Sequence, residues 1–252
     1  MTILDVAAIS KSFGGVRAVA DVSFQVAAGE MLALIGPNGA GKSTCFNMLN
    51  GQIPPDAGCI TLNGQNITAL SPRRICRMGV GRTFQITATF ASMTVSENVQ
   101  VALLAHHRQV WRFMRPAAAW FAPQADALLA QVGMRDQASR AAGVLAYGDL
   151  KRLELAIALA NAPHLLLMDE PTAGMAPTER VALMQLARTL ASKRNIAVLF
   201  TEHDMDVVFN VADRILVLNR GELIAEGDAP TIRADARVRE VYLGSGVTSG
   251  GH

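Results

Sequence analysis

Gly36-Pro37-Asn38-Gly39-Ala40-Gly41-Lys42-Ser43-Thr44 is the stretch on which the reading of this chain turns. The run Glu30 to Ile35 leads into it with the look of a buried strand, and Lys42 to Asn50 after it has helical character that stops at Gly51. A GxxxxGK[ST] spacing between a strand and a helix is a phosphate-binding loop. Its glycines let the backbone curl so that successive N–H groups point inward at phosphate oxygens. The helix beginning near Lys42 adds its positive end to the same place. Lys42 then reaches the β- and γ-phosphates, and the Ser43 hydroxyl is placed to ligate Mg²⁺. A chance match in a chain of this size has odds on the order of one in a hundred.

A second element complements the first. Leu165-Leu166-Leu167-Met168-Asp169-Glu170 reads as a buried strand ending in two carboxylates. At the carboxyl edge of a parallel sheet, Asp169 would face the glycine loop and hold Mg²⁺ through water, and Glu170 would act as general base toward the attacking water. Acidic residues after a strand also cap helices, but a phosphate loop upstream favours the metal-and-base reading. His203 follows another apolar run, Val198 to Thr201 with Glu202, and its place suits a sensor of the γ-phosphate or the water. Gln85 stands where the short segment Gly79 to Phe84 meets a helix-rich region. A hinge there contacting Mg²⁺ and water would let the nucleotide state move that region.

Composition sets the frame. The chain has 252 residues, half of them apolar, which is enough for one substantial domain with a subdomain attached. A formal charge of +2 argues against nucleic acid as the main ligand. Cys45, Cys59 and Cys76 match no metal or redox spacing and suit a reducing compartment. No secretory leader and no apolar run of ~20 residues is visible, so the expected location is cytoplasmic.

Ile3 to Ser10, Val22 to Val26 and Ile60 to Ile67 read as short strands. From Ile86 to Ala162 the chain turns Ala/Leu-rich, with candidate helices over Ser96 to Ala105, Ala125 to Val132 and Leu150 to Ala160. Leu165 to Met168 and Ala197 to Thr201 are strands flanking the helix Thr178 to Ser192. Ile215 to Asn219 and Glu222 to Glu226 form a hairpin about Arg220-Gly221. Val238 to Leu243 closes a last helix, and Gly244 to His252 is expected to be a disordered tail. The class is α/β: a P-loop NTPase core (RecA-like) with a mainly parallel sheet, an N-terminal antiparallel β subdomain and an inserted α-helical subdomain. One domain is expected over 1–243, with its core at 1–85 and 163–243 and the helical subdomain at 86–162.

The order P-loop, Gln85, Asp169-Glu170, His203 resembles the nucleotide-binding subunits of ABC transporters over Leu4 to Leu243. The family's signature falls at Leu145-Ala146-Tyr147-Gly148-Asp149, just before the Leu150 helix. The resemblance implies that this element caps the γ-phosphate of ATP held by the opposite subunit, so that two subunits sandwich two ATP molecules. The usual Leu-Ser-Gly-Gly-Gln is altered here. Loss of the serine at Ala146 removes a donor, Asp149 brings a negative charge near the γ-phosphate, and the aspartate of the loop after Glu170 is replaced by Ala176. The site this chain completes in trans is therefore expected to be the weaker. A heterodimer with a second ATPase of intact signature fits that asymmetry, and a homodimer is the alternative. Phe13 matches the aromatic that stacks on adenine.

Leu145-Ala146-Tyr147-Gly148, Gly81 to Gln85, Ala173-Gly174-Met175 with Pro177, and Glu240 to Gly244 resemble the first ATPase of branched-chain amino acid uptake systems. That resemblance implies a second ATPase, two membrane permeases, a periplasmic binding protein and a peripheral place on the inner face of the membrane. Thr87 to Val95 are the candidates for permease contact. His106 to Pro123, with Trp111 and Trp120, reads either as packing within the helical subdomain or as a membrane or permease contact. His106-His107 is a poor metal site. The alternatives are urea uptake or lipopolysaccharide export, against which the signature argues, and soluble ABC proteins, whose coiled-coil inserts or second cassette are not seen. A P-loop kinase or small GTPase would have no role for the signature or His203.

Overall fold

A computed structural model describes residues 1–83, 89–107 and 121–243. Its elements are β1 (Thr2–Phe13), β2 (Val16–Ala27), β3 (Met31–Ile35), α1 (Lys42–Leu49), β4 (Ala57–Leu62), β5 (Gln65–Asn66), α2 (Pro72–Arg77) and β6 (Val80–Thr83). Then follow α3 (Val95–His106), α4 (Ala122–Gln131), α5 (Tyr147–Leu159), β7 (Leu165–Asp169), α6 (Pro177–Arg194), β8 (Ala197–Thr201) and α7 (Met205–Val211). The chain closes with β9 (Arg214–Asn219), β10 (Glu222–Gly227), α8 (Ala229–Ala234) and α9 (Ala236–Leu243).

Two sheets form. The first is antiparallel and four-stranded in the order β2-β1-β4-β5. The second is six-stranded in the order β10-β9-β3-β8-β7-β6, parallel except for the edge strand β10. β3 is buried along its whole length, because the second sheet is covered on both faces. Alternation sorts its side chains: Leu32 and Leu34 join the core shared with the antiparallel sheet and Phe46 of α1. Met31, Ala33 and Ile35 join the opposite core with Phe200, Leu155 and Leu183. The parallel sheet thus carries α1 on one face and α5 and α6 on the other, which is the α/β class expected.

Several boundaries differ from the sequence reading. β1 and β2 are longer than expected and turn at Gly14-Gly15, with Phe13 paired to Val16. Ile60 to Ile67 is two strands, because Asn63 and Gly64 both take positive φ (49° and 76°) and make a tight turn. α2 begins on Pro72, α8 carries Pro230 in its first turn behind the Asp228 cap, and α7 begins on the Asp204 cap; all three are too short to show periodicity in the sequence. α5 starts at Tyr147, three residues before the expected Leu150, so the signature segment is its first turn. Gly148 is tolerated there because the helix packs on Glu179; an added Cβ would sit 3.1 Å from its Oε1. The expected hairpin about Arg220-Gly221 is present, with positive φ at both residues.

Candidate active site

The glycine loop springs from the end of the central strand β3 and closes into α1. Gly36 must be glycine: its φ is 154°, and a Cβ would run into the Leu218 carbonyl on β9. Gly41 has φ 106° and lies against the Ala18 carbonyl of β2, where a Cβ would also collide. The β9–β10 turn braces the loop from outside, since the Gly221 N–H donates to the Ala40 carbonyl at 2.9 Å. Gly41 caps α1 with no side-chain hydrogen bond. The first N–H groups of this helix, at Lys42, Ser43 and Thr44, have no intrahelical acceptor and are available to an anion.

Asn38, Gly39, Ala40, Gly41, Lys42, Ser43 and Thr44 line a cavity of about 320 Å³ together with Ala18 and Glu170. The buried Lys42 ammonium donates to the Gly36 carbonyl at 2.7 Å and the Pro37 carbonyl at 3.1 Å. Burial lowers its pKa, and the negative charges of Glu170 and Asp169 work the other way. Phe13, half exposed at the tip of the β1–β2 hairpin, offers an open ring face with the Lys11 ammonium 5.8 Å from its centroid.

β7 delivers the carboxylates. Asp169 Oδ1 accepts from the Thr201 hydroxyl at 2.8 Å, and Oδ2 pairs with Arg82 of β6 at 3.4 Å. Burial lowers the pKa of that guanidinium, and Asp169 opposes the shift. Glu170 has φ 47°, a left-handed conformation that costs an ordinary residue about 1–2 kcal/mol. The Glu170 N–H is held by the Thr201 carbonyl at 3.2 Å and hydroxyl at 3.0 Å. His203 follows β8, and its Nε2 lies 2.6 Å from Glu170 Oε1. With Glu170 ionised, the carboxylate accepts, so Nε2 carries the proton.

The signature end lies elsewhere. Ala146, Tyr147 and Gly148 do not line the cavity of the glycine loop. Ala146 caps α5 in extended conformation, and among the described residues no side chain caps this helix start. Tyr147 is exposed beside Gly174 of the loop after Glu170, with the Lys151 ammonium 5.4 Å from its ring centroid. The Asp149 carboxylate accepts from Gln137 at 2.9 Å.

Gln85, Thr87, Trp111, Trp120 and the tail Gly244 to His252 lie outside the described residues. His107 stacks on Phe121 at 4.7 Å, and among the described residues no group of three or more metal-ligating side chains forms. Arg82, Thr172, Thr201 and Glu202 belong to the site and were not singled out by sequence reading. Only the motif positions beside them pointed their way. Tyr242 of α9 is a further case: burial pushes its phenol up to about 12, and it is hydrogen-bonded to the Gly36 backbone.

Comparison with known proteins gives the same direction. A family model described as ABC transporter matches residues 19–173, and one described as Branched-chain amino acid ATP-binding cassette transporter matches residues 222–248. The chain is 40% identical to the high-affinity branched-chain amino acid transport ATP-binding protein LivG of Salmonella typhimurium, over 96% of this chain and 98% of that one. It is 38% identical to the corresponding protein BraF of Pseudomonas aeruginosa, again over 96% and 98%. Among solved structures, the ADP conformation of an ATP-binding cassette of an ABC transporter superposes with TM-score 0.86 and 32% identity, over 97% of this chain and 99% of that one. A nucleotide-free cassette gives TM-score 0.84 and 31% identity, over 96% and 99%. The glycine loop, the Asp169-Glu170 strand end and the His203 turn therefore sit in an ATPase that belongs to the ABC transporter family of ATP-binding proteins, in its branched-chain amino acid branch.

Proposed function

We propose that the chain is the ATP-hydrolysing subunit of an importer for branched-chain or other hydrophobic amino acids, and that Gly36 to Thr44, Asp169, Glu170 and His203 are its half of the hydrolytic site. The observation that carries this reading is that Glu170 and the glycine loop, far apart in sequence, line one cavity while His203 contacts Glu170. The donor set fits a magnesium nucleotide. A hydroxyl at Ser43 and a carboxylate at Asp169 are hard oxygen ligands, the start of α1 presents N–H groups, and Phe13 offers a stacking face. Gln85 is proposed as the remaining oxygen ligand. Mg²⁺, when bound, neutralises charge on the β- and γ-phosphates.

The residues of the chain divide the remaining work. Lys42 exchanges its loop carbonyls for phosphate oxygens. Glu170 accepts a proton from the attacking water, and His203 holds that carboxylate in line. Ala146, Tyr147 and Gly148 offer an uncapped helix start to the γ-phosphate of a neighbouring subunit.

The same reading treats 1–243 as one cassette, with the core at 1–85 and 163–243 and the helical subdomain at 86–162. It sets the chain against a second ATPase, in a heterodimer by preference, and two membrane permeases served by a periplasmic binding protein. Residues 87–95 face the permeases, and no nucleic acid is involved. Among the described residues no helix is long and apolar enough to cross a membrane, so the permeases hold the chain at the cytoplasmic face. Reconstitution of the complex in liposomes tests this: ATP should drive uptake of leucine, isoleucine or valine, and Lys42→Ala should abolish it. ATP-driven uptake of urea, or of no amino acid, would overturn the cargo assignment.

A further inference from the structure

Thr172 and Glu202 are 2% and 5% exposed, directly behind the Glu170–His203 pair. Thr172 stands two residues after Glu170, and Glu202 one residue before His203. Glu202 Oε1 accepts from the Thr172 N–H at 2.9 Å and from its hydroxyl at 2.7 Å. Glu202 Oε2 accepts from the His203 N–H at 3.3 Å. One buried carboxylate thus holds the backbone of both loops that carry the reacting pair.

Burying a carboxylate is costly, and packing alone would be served as well by an apolar side chain of similar volume. What a carboxylate adds is direction, because three donors on two separate loops converge on one rigid group. Glu170 sits between two anchors. Thr201 fixes its N–H from the side of β8, and Glu202 fixes the chain two residues further on through Thr172. The left-handed φ of Glu170 is held between them. The same loop continues to Gly174, which abuts Tyr147 at the start of α5, so a shift at the signature end reaches Thr172 through three residues of chain.

We propose that Glu202 is a positioning residue that locks the loop after Glu170 to the His203 turn, and thereby sets the geometry of the Glu170–His203 pair. This rests on the reading of Glu170 as general base. It adds that the two loops move as one unit, through a carboxylate that touches neither nucleotide nor water.

Steady-state ATP hydrolysis by the assembled transporter tests it. Glu202→Gln replaces one acceptor oxygen with a donor and should lower kcat about tenfold or more, with KM for ATP changed less than about twofold. Thr172→Ser keeps both donors and should keep a higher kcat than Thr172→Val, which loses the hydroxyl and should fall between Thr172→Ser and Glu202→Gln. The Thr172→Val/Glu202→Gln double variant should be no slower than Glu202→Gln alone, because one link can be broken only once. Unchanged kcat in a folded Glu202→Gln protein, a rise in KM at constant kcat, or losses that multiply in the double variant would each overturn the proposal. If Glu202→Gln does not fold, the Thr172→Ser and Thr172→Val pair decides: equal turnover in both removes the link. Glu170→Gln measured in parallel separates the two readings. Normal turnover there defeats the base assignment, whereas loss there with normal turnover in Glu202→Gln defeats only the positioning role.

Discussion

His203 Nε2 and Glu170 Oε1 are 2.6 Å apart, a charge-assisted hydrogen bond joining the ends of β8 and β7. The His203 side chain is about half exposed (51%), and that of Glu170 is mostly covered (23%), so the histidine approaches the carboxylate from the open side. Glu170 also lines the cavity formed by the glycine loop. The relation gives the two residues separable tasks.

Glu170→Gln should retain ATP binding and lose about 10²- to 10⁴-fold in turnover, the range for removal of a general base. His203→Ala should lose less if its task is to hold Glu170, and should add little on top of Glu170→Gln. Single-turnover hydrolysis of the two single variants and the double variant measures this. Multiplicative losses would give His203 a contact of its own with the reacting groups.

Asp149→Gln restores the usual signature residue. The Asp149 carboxylate is engaged by Gln137 rather than standing free at the tip of α5. The substitution should therefore change ATPase activity of the complex by no more than about twofold, as for a replacement away from the reacting groups. A gain well beyond that would mean that the charge does reach the γ-phosphate.

Tyr242→Phe removes only the hydroxyl that meets the Gly36 backbone. Loss of one such hydrogen bond should lower stability by about 1 kcal/mol. Because Gly36 opens the glycine loop, ATP affinity should weaken a few-fold as well. Chemical denaturation and nucleotide titration of the same preparation check both, and unaltered affinity would confine Tyr242 to anchoring α9.

Burial raises the Glu202 pKa above its ordinary 4.5, against the Thr172 and His203 hydrogen bonds, which lower it. A group with a raised folded pKa stabilises fully below its unfolded value, and that contribution is lost as pH rises through the folded value. Wild type should therefore lose more thermal stability than Glu202→Gln as pH is raised above 4.5. Carboxylates with lowered pKa, such as Asp56 and Asp204, act in the opposite sense but equally in both proteins. The difference between the two Tm–pH curves isolates Glu202.

What the sequence determined by itself was whatever contiguous residues decide. The glycine spacing from Gly36 to Gly41 dictates a loop conformation that few other residues can adopt, and Lys42 and Ser43 follow it on a helix start wherever the chain goes. The apolar strands β3, β7 and β8 were legible because strands buried on both faces carry an unbroken apolar run. Only the tertiary structure decided the pairings across strand order. β8 lies between β3 and β7 although it follows both in sequence, and that placement brings His203 to Glu170, Thr201 to Asp169, and Glu202 to Thr172. Arg82 meets Asp169 across 87 positions because β6 pairs with β7 at the edge of the same sheet. Side-chain direction was equally hidden: Asp149 stands at the first turn of α5 by sequence, yet a hydrogen bond to Gln137 decides which way its charge points. Such contacts depend on how sheets and helices pack, and no local spacing encodes them.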